Sequence, residues 1–434
     1  MTYVHGFLDF VKQSPTPFHA IEAICRELTA NGYQPLNERD AWDIVPGGKY
    51  YVTRNHSSVI ALTVPEKGMS HFQIVASHSD SPTFKLKPVS EEVVVGQYVR
   101  LNTEKYGGMI MSTWLDRPLS IAGRVLVKEG CGISTRLVDI DKDTVLIPNM
   151  PIHFNRDIND GFKFNPQVDT LPLYGNAQAK GQLMKDVAAA AQVEEEKIVG
   201  HDLFLYSRTP GSIWGANNEY FSCGRIDDLE CAYASLQAFL AAKNAQQINV
   251  CAVFDNEEVG STTKQGANST FLNDVLSRVA AALGATDAQI RAAIACSFMV
   301  SGDNAHAVHP NHPEKYDADN RTYMNAGIVI KYNANQKYTS DGVSAAIFQT
   351  ICGQAGVPVQ TFANRSDVAG GGTLGNIANT HASMNTVDIG LPQLAMHSAY
   401  ETAGVEDLTF MVKGLTKFYE TEIAMLADGE FQLK

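Results

Sequence analysis

The chain has 434 residues, 44% hydrophobic and 19% charged, a balance that excludes intrinsic disorder, and its length favours two or three domains over one core. A formal charge of -13, from 47 acidic against 34 basic side chains with no long Lys/Arg run, excludes a nucleic-acid partner. No apolar stretch approaches the roughly 18 to 20 residues that span a bilayer, and Met1 to Phe10 carries no secretory signal, so no membrane association and a cytoplasmic location are expected.

The first helix signal is Thr16-Pro17, after which Phe18, Ile21, Cys25 and Leu28 recur at helical spacing until Gly32 supplies a left-handed stop. Ser58 to Val64 reads as an apolar strand. His71 to Ala76 alternates and ends in the polar cluster Ser77-His78-Ser79-Asp80. From about Glu92 to Asn218 the texture changes. Short β-like segments (Arg124 to Lys128, Arg136 to Ile140, Thr144 to Ile147), a polar loop from Asn155 to Pro172 and a helix from Leu183 to Val193 read as an inserted domain over residues 93–218. Residues 1–92 and 219–434 then form the main domain.

Its second part continues with a helix from Leu229 to Lys243 and a strand from Ile248 to Phe254 that delivers Asp255-Asn256-Glu257-Glu258. Ala292 to Val300, the longest charge-free apolar segment, reads as a buried strand whose latter part delivers Asp303, and Leu408 to Leu426 reads as a helix. Alternating strands and helices predict an α/β fold around a mainly parallel sheet, with ligands beyond the carboxyl ends of the strands. The seven cysteines are scattered, odd in number and without CxxC spacing, which favours buried small hydrophobes over disulfides or a thiolate zinc site.

Carboxylates at the ends of buried strands are costly unless paired or bound to a cation, and Asp80, Asp227, Asp228, Glu257, Glu258 and Asp303 all fall in such places. With His78 and His397 they make an oxygen-and-nitrogen set suited to zinc, cobalt or manganese. Each element has a plainer reading when taken alone. Asp227-Asp228 reads as a helix N-cap, Glu257-Glu258 as a charged helix start, and His397 as a core histidine near a helix start. Their common location at the open end of one sheet favours the metal. Gly370-Gly371-Gly372-Thr373 lacks the GxxxxGK[ST] pattern of a phosphate loop and reads as backbone that approaches a substrate.

These segments resemble the aspartyl-aminopeptidase family of dinuclear zinc metallopeptidases, as a bacterial member. The resemblance rests on SPTPFHA, ASHSDSP, STWLDRPLSIAGRV, GRIDDL, FDNEEVGSTTKQGA, SGDNAHAVHPN and LPQLAMHS, in order from Ser14 to His397. It implies a zinc-exopeptidase-like α/β sandwich with a central mixed, mainly parallel sheet, interrupted by a β-rich dimerisation domain. It also implies two Zn2+ per subunit, with Co2+ or Mn2+ as substitutes. His78, Asp227 and Asp303 would hold one, and Asp227 would bridge to a second held by Glu258 and His397. Asp80 would orient the His78 ring through its other nitrogen, and Glu257 would be the general base. His153 would reach a neighbouring subunit's active site, while His306, Lys331 and Tyr338 would contact substrate.

The activity implied is removal of N-terminal residues from peptides by metal-activated water, with Lys331 suited to acidic (Asp/Glu) side chains. VAGGGTLGN departs from the family sequence expected near the substrate. A tetrahedral homododecamer built from dimers is the assembly expected. A di-zinc deacylase or amidase on the same scaffold, and an inactive assembly protein, are the competing readings.

Overall fold

Apolar periodicity at the start of the chain produces two packed helices. The computed structural model describes residues 2–67, 69–243 and 246–434 and opens with α1 (Thr2–Gln13) and α2 (Pro17–Ala30). Val4, Phe7, Phe10 and Val11 form the buried side of α1, a helical spacing that the sequence reading passed over. Helix α2 starts at the Thr16-Pro17 pair, and Gly32 follows it at φ 83°, a left-handed position that glycine takes without a Cβ clash.

Strands β1 (Gln34–Leu36), β2 (Lys49–Arg54), β3 (Ser58–Thr63) and β4 (Phe72–His78) come next. The chain then leaves through β5 (Thr83–Val94), β6 (Tyr98–Tyr106), β7 (Leu119–Glu129), β8 (Gly132–Asp139), β9 (Leu173–Asn176), helix α3 (Leu183–Ala191) and β10 (Ile198–Ser207). Strands β5 to β10 form a separate antiparallel sheet in the order β8-β7-β10-β5-β6-β9. Its apolar face, with Phe84, Leu101, Ile121, Val125 and Leu203, shares one buried cluster with Trp114 and with Leu183 and Val187 of α3. The segment Thr144 to Ile147, expected as a strand, contributes only isolated bridges at Val145, Leu146 and Ile147.

The remaining elements are β11 (Ser212–Trp214), β12 (Tyr220–Cys223), α4 (Ile226–Ala241), β13 (Ile248–Phe254), α5 (Phe271–Ala282), α6 (Asp287–Ala295), β14 (Phe298–Gly302) and β15 (Ala305–His306). They continue as β16 (Ile328–Tyr332), α7 (Gly342–Gln354), β17 (Val359–Ala363), α8 (Leu374–Ala378), β18 (Asn385–Gly390), β19 (Pro392–Leu394), β20 (Glu401–Gly404), α9 (Val405–Glu420) and the hairpin β21 (Ile423–Ala427) and β22 (Glu430–Leu433).

The structure corrects two further expectations. The first half of Ala292 to Val300 is the end of α6, and the strand that precedes Asp303 is only Phe298–Gly302. A capping box of Thr286 and Gln289 starts α6, and it fixes the helix before the apolar run begins. Helix α9 stops at Glu420 rather than Leu426, because Ile423 onward pairs as a hairpin with the chain's last residues.

The central sheet has nine strands in the order β1-β2-β3-β13-β4-β14-β18-β16-β17. Strand β4 lies between β13 and β14, parallel to both, with Phe254 opposite His78 and Ser301 opposite Ala76. Every residue of β4, β13 and β14 is buried, which explains their continuous apolar runs. Val75, Val253 and Val300 face the cluster with α1, α2, α4, α7 and α9, whereas Ile74, Ala252 and Met299 face α5, α6 and α8. This sandwich brings the carboxyl ends of β4, β13 and β14 side by side, so the segments that leave these three strands converge on one place. Among the described residues, no helix is long and apolar enough to cross a membrane.

Candidate metal centre and active site

Three chain segments with irregular backbone surround the end of β4. Arg225, Asn256 and His397 have φ of 62°, 64° and 67°, left-handed values that cost a non-glycine residue energy and persist only where surroundings impose them. Asp227 and Asp228 also leave helical geometry, so the regular turns of α4 begin after them and neither side chain acts as an N-cap. His397 is on a turn between β19 and β20 rather than near a helix start. Glu257 and Glu258 open a single 3-10 turn, Glu257–Val259.

The side chains converge closely. Ligand atoms of His78, Asp227, Asp228 and Asp303 all lie within 4.8 Å of one another, as do those of His78, Glu257 and Glu258, and those of Asp227, Glu258 and His397. Asp227 turns one oxygen to each histidine: Oδ1 is 3.5 Å from His78 Nε2, and Oδ2 is 3.3 Å from His397 Nε2. The same His397 nitrogen is 3.3 Å from Glu258 Oε1. His78 is buried, and its other nitrogen, Nδ1, faces Asp80, 3.1 Å from the backbone carbonyl and 3.4 Å from Oδ1. A ring held at Nδ1 presents Nε2 to the cluster.

The electrostatics demand a cation. Five carboxylates crowd the three groupings, and burial pushes Asp228 and Glu257 well above the usual carboxylate range and Glu258 up to about 7. Burial alone would raise Asp227 as well, but His397 and His78 outweigh it and bring that carboxyl down. Burial would likewise lower His397, yet Asp227 and Glu258 lift it to about 11. A divalent cation among these groups would compensate their charge. Asp227 Oδ1, Asp228 Oδ1 and Glu258 Oε1 are buried without a hydrogen-bond donor. Imidazole nitrogens and orphaned carboxylate oxygens at this spacing fit zinc.

A basic and aromatic flank adjoins Asp303. Lys331, 3% exposed, donates to the Asn304 carbonyl at 3.1 Å, lies 3.7 Å from Asp303 Oδ1 and sits 5.3 Å from the centre of the Tyr338 ring. Burial opposes its charge, but Asp303 holds the ammonium above its ordinary pKa. His306 keeps solvent access and packs its ring edge-on to Phe362, centroids 6.0 Å apart. Crowding of the ring by the surrounding protein, which solvent reaches from one side, and then the Lys331 charge lower its pKa. Of the residues expected at the site, only His153 stands apart. It is exposed on a turn in the loop before β9 and belongs to none of the metal-ligating groups.

Asp228, expected among the strand-end carboxylates of the metal set and alternatively as a helix N-cap, also accepts the His78 amide at 3.0 Å. Two neighbours of the cluster were not expected from the sequence. Tyr106 donates to Asp80 Oδ2 at 2.7 Å, and Glu401 accepts the backbone amides of Asp227 and His397 at 3.2 and 2.7 Å. Their sequence surroundings carry no local signal for these roles. Phe362, by contrast, was accessible as an aromatic near the end of a strand.

Comparison with known proteins agrees with this centre. Residues 10–419 match the family described as aminopeptidase I zinc metalloprotease (M18). A probable M18 family aminopeptidase 2 of Clostridium acetobutylicum is 46% identical, over 96% of this chain and 99% of its own length. The protein of the same name from Pseudomonas putida is 39% identical over 96% and 97%. Among solved structures, one of an Ape4 and Nbr1 complex superposes with TM-score 0.93 at 36% identity, covering 96% of this chain and 85% of its own. A structure of Chaetomium thermophilum mApe1 superposes with TM-score 0.87 at 30% identity, covering 96% and 97%. An mApe1 dodecamer of S. cerevesiae gives 0.84 at 27%, covering 96% and 95%. With its family match spanning nearly the whole sequence, this chain belongs to the M18 family of zinc metalloproteases and is a metal-dependent aminopeptidase.

Proposed function

We propose that the chain removes acidic N-terminal residues from peptides at a two-zinc centre. His78, Asp227 and Asp303 would hold one ion, and Asp227, Glu258 and His397 the other. The observation that carries this reading is the Asp227 carboxylate, which offers one oxygen to each histidine. Zinc bound there would polarise the scissile carbonyl and make water a nucleophile near neutral pH.

The chain's own groups handle orientation and protons. Glu257, within reach of His78 and Glu258, accepts the proton of the attacking water as the oxygen bonds to the carbonyl carbon. It returns that proton to the amine nitrogen as the C–N bond breaks. Asp80 keeps the His78 ring and the Glu257 amide in register. Lys331, with Tyr338 and His306, offers a positive flank beside Asp303, which favours an acidic substrate side chain.

A dodecamer built from dimers is the proposed assembly, with the segment expected as 93–218, whose six-stranded sheet begins with β5 at Thr83, as its dimerisation module and the rest as the catalytic part. The dodecameric yeast relative supports the dodecamer. So does the loop around His153, where Met150, Ile152 and Phe154 are 58%, 48% and 83% exposed. His153 of a second copy would then donate to the oxyanion. A cytoplasmic location accords with seven free cysteines.

The deciding experiment measures metal content and then assays aminoacyl chromogenic substrates with apo, zinc, cobalt and manganese enzyme. Two metals per chain and a preference for Asp and Glu are expected. A single metal would overturn the two-ion centre, and a preference for Leu or Met would remove Lys331 from specificity.

A further inference from the structure

Glu401 opens β20, directly opposite Cys223 of β12, and is 2% exposed. Among the described residues no lysine or arginine forms an ion pair with it. All its partners are neutral donors. Oε2 accepts the amides of Ile226 at 2.7 Å and Asp227 at 3.2 Å, while Oε1 accepts the His397 amide at 2.7 Å and the Gln393 side chain at 3.4 Å. A buried carboxylate with no direct ion pair is expensive, the Arg225 and His397 charges acting on it only at a distance, and this one is retained where two loops without ladder partners must be joined.

Both loops need an outside constraint. The first turns through Arg225 at φ 62° into the non-helical Asp227, and the second holds His397 at φ 67°. Left-handed backbone at such residues persists only where the surroundings over-determine it. One carboxylate that takes amides from both loops with its two oxygens sets the distance between them. That distance places Asp227 Oδ2 3.3 Å from His397 Nε2. His78 and Asp303 reach the cluster from β4 and β14, which the central sheet already fixes.

We infer that Glu401 is a positioning residue that sets the spacing of Asp227 and His397, and so governs one of the two metal positions more than the other. The inference rests on the two-ion reading above. It assigns Glu401 to the position shared by Asp227, Glu258 and His397, and leaves the His78 and Asp303 position largely to the sheet. A side-chain amide has the same shape but one acceptor oxygen, and its NH2 would face a backbone N–H.

The test titrates cobalt into metal-free full-length protein and follows its visible absorption, for wild type and Glu401→Gln, with thermal melts of both. Wild type should take up cobalt in two steps. In the variant one of the two steps should weaken roughly ten- to hundredfold, the usual effect of losing an outer partner of a ligand, while the other, which shares only Asp227 with it, shifts much less. Excess cobalt should then restore most of the turnover. Two unchanged steps would overturn the inference, and so would equal weakening of both steps with a collapsed melting temperature. If Glu401→Gln does not fold, Glu401→Asp retains the charge, cannot span both loops, and is read by the same criteria. Wild-type uptake of one cobalt would refute the two-ion reading itself, and this inference with it.

Discussion

Asp80 and Glu258 are joined through the main chain: Asp80 Oδ2 accepts the Glu258 amide at 3.2 Å, while Oδ1 accepts the Glu257 amide at 3.1 Å. The same residue faces His78 Nδ1. One side chain therefore aligns the His78 ring and the turn that carries both glutamates. Asp80→Asn substitutes a donor for one of those acceptors, and roughly a ten- to hundredfold loss of kcat is expected. Steady-state kinetics beside metal analysis checks this; unchanged kcat at full metal content would show that the alignment is dispensable.

Glu257→Gln separates proton transfer from metal binding. The amide fills the same space but cannot take a proton, so metal content should be retained while kcat falls by about 10²- to 10⁴-fold. Near-normal turnover in a fully loaded variant would exclude Glu257 as the base.

The exposed loop before β9 should control assembly. Phe154→Asp puts a charge on the most exposed large apolar side chain of that loop, 83% accessible, and is expected to shift the protein toward monomers with loss of activity. Sedimentation with parallel assays decides the matter. Fully active monomers would dismiss a site shared through His153.

Acid stability should depend on His19. Its Nδ1 is 2.8 Å from Thr16 Oγ1, and burial followed by the Arg225 charge lowers its pKa from 6.5 to about 4. The unfolded chain then binds the extra proton between those values, so this contribution is complete above about pH 6.5 and disappears as pH falls toward 4. Its size is on the order of 3 kcal/mol. Denaturant unfolding of wild type and His19→Gln at about pH 7.5 and 4.5 should show a smaller acid loss in the variant. Parallel losses would assign acid sensitivity to other groups.

Several parts of this centre that were legible in the sequence share one physical property: they come at or just after the ends of buried strands, whereas Asp227 lies at the start of α4 and His397 on a turn. Ile248–Phe254 is apolar throughout because both sheet faces are covered, and the acidic residues after it stand out. His78 and Asp303 were visible for the same reason. Ala292 to Val300 misled, since a continuous apolar run has no period to distinguish helix from strand, although Thr286 and Gln289 were available as a helix start. Glu401 could not be read locally. Its partners Ile226 and Asp227 are about 175 residues away in sequence and are reached through backbone amides, which leave no mark on side-chain pattern.

Tyr106 gives the six-stranded sheet a stake in the chemistry. It ends β6, donates to Asp80 at 2.7 Å and receives the Asn256 side chain at 2.8 Å, immediately before Glu257. A minimal peptidase made by excising that sheet would lose this hydroxyl and leave Asp80 short of a donor. The sheet therefore supports the hydrogen bonds behind the glutamate turn as well as offering a candidate surface for association, and shortening the protein without replacing Tyr106 should loosen that turn from a distance.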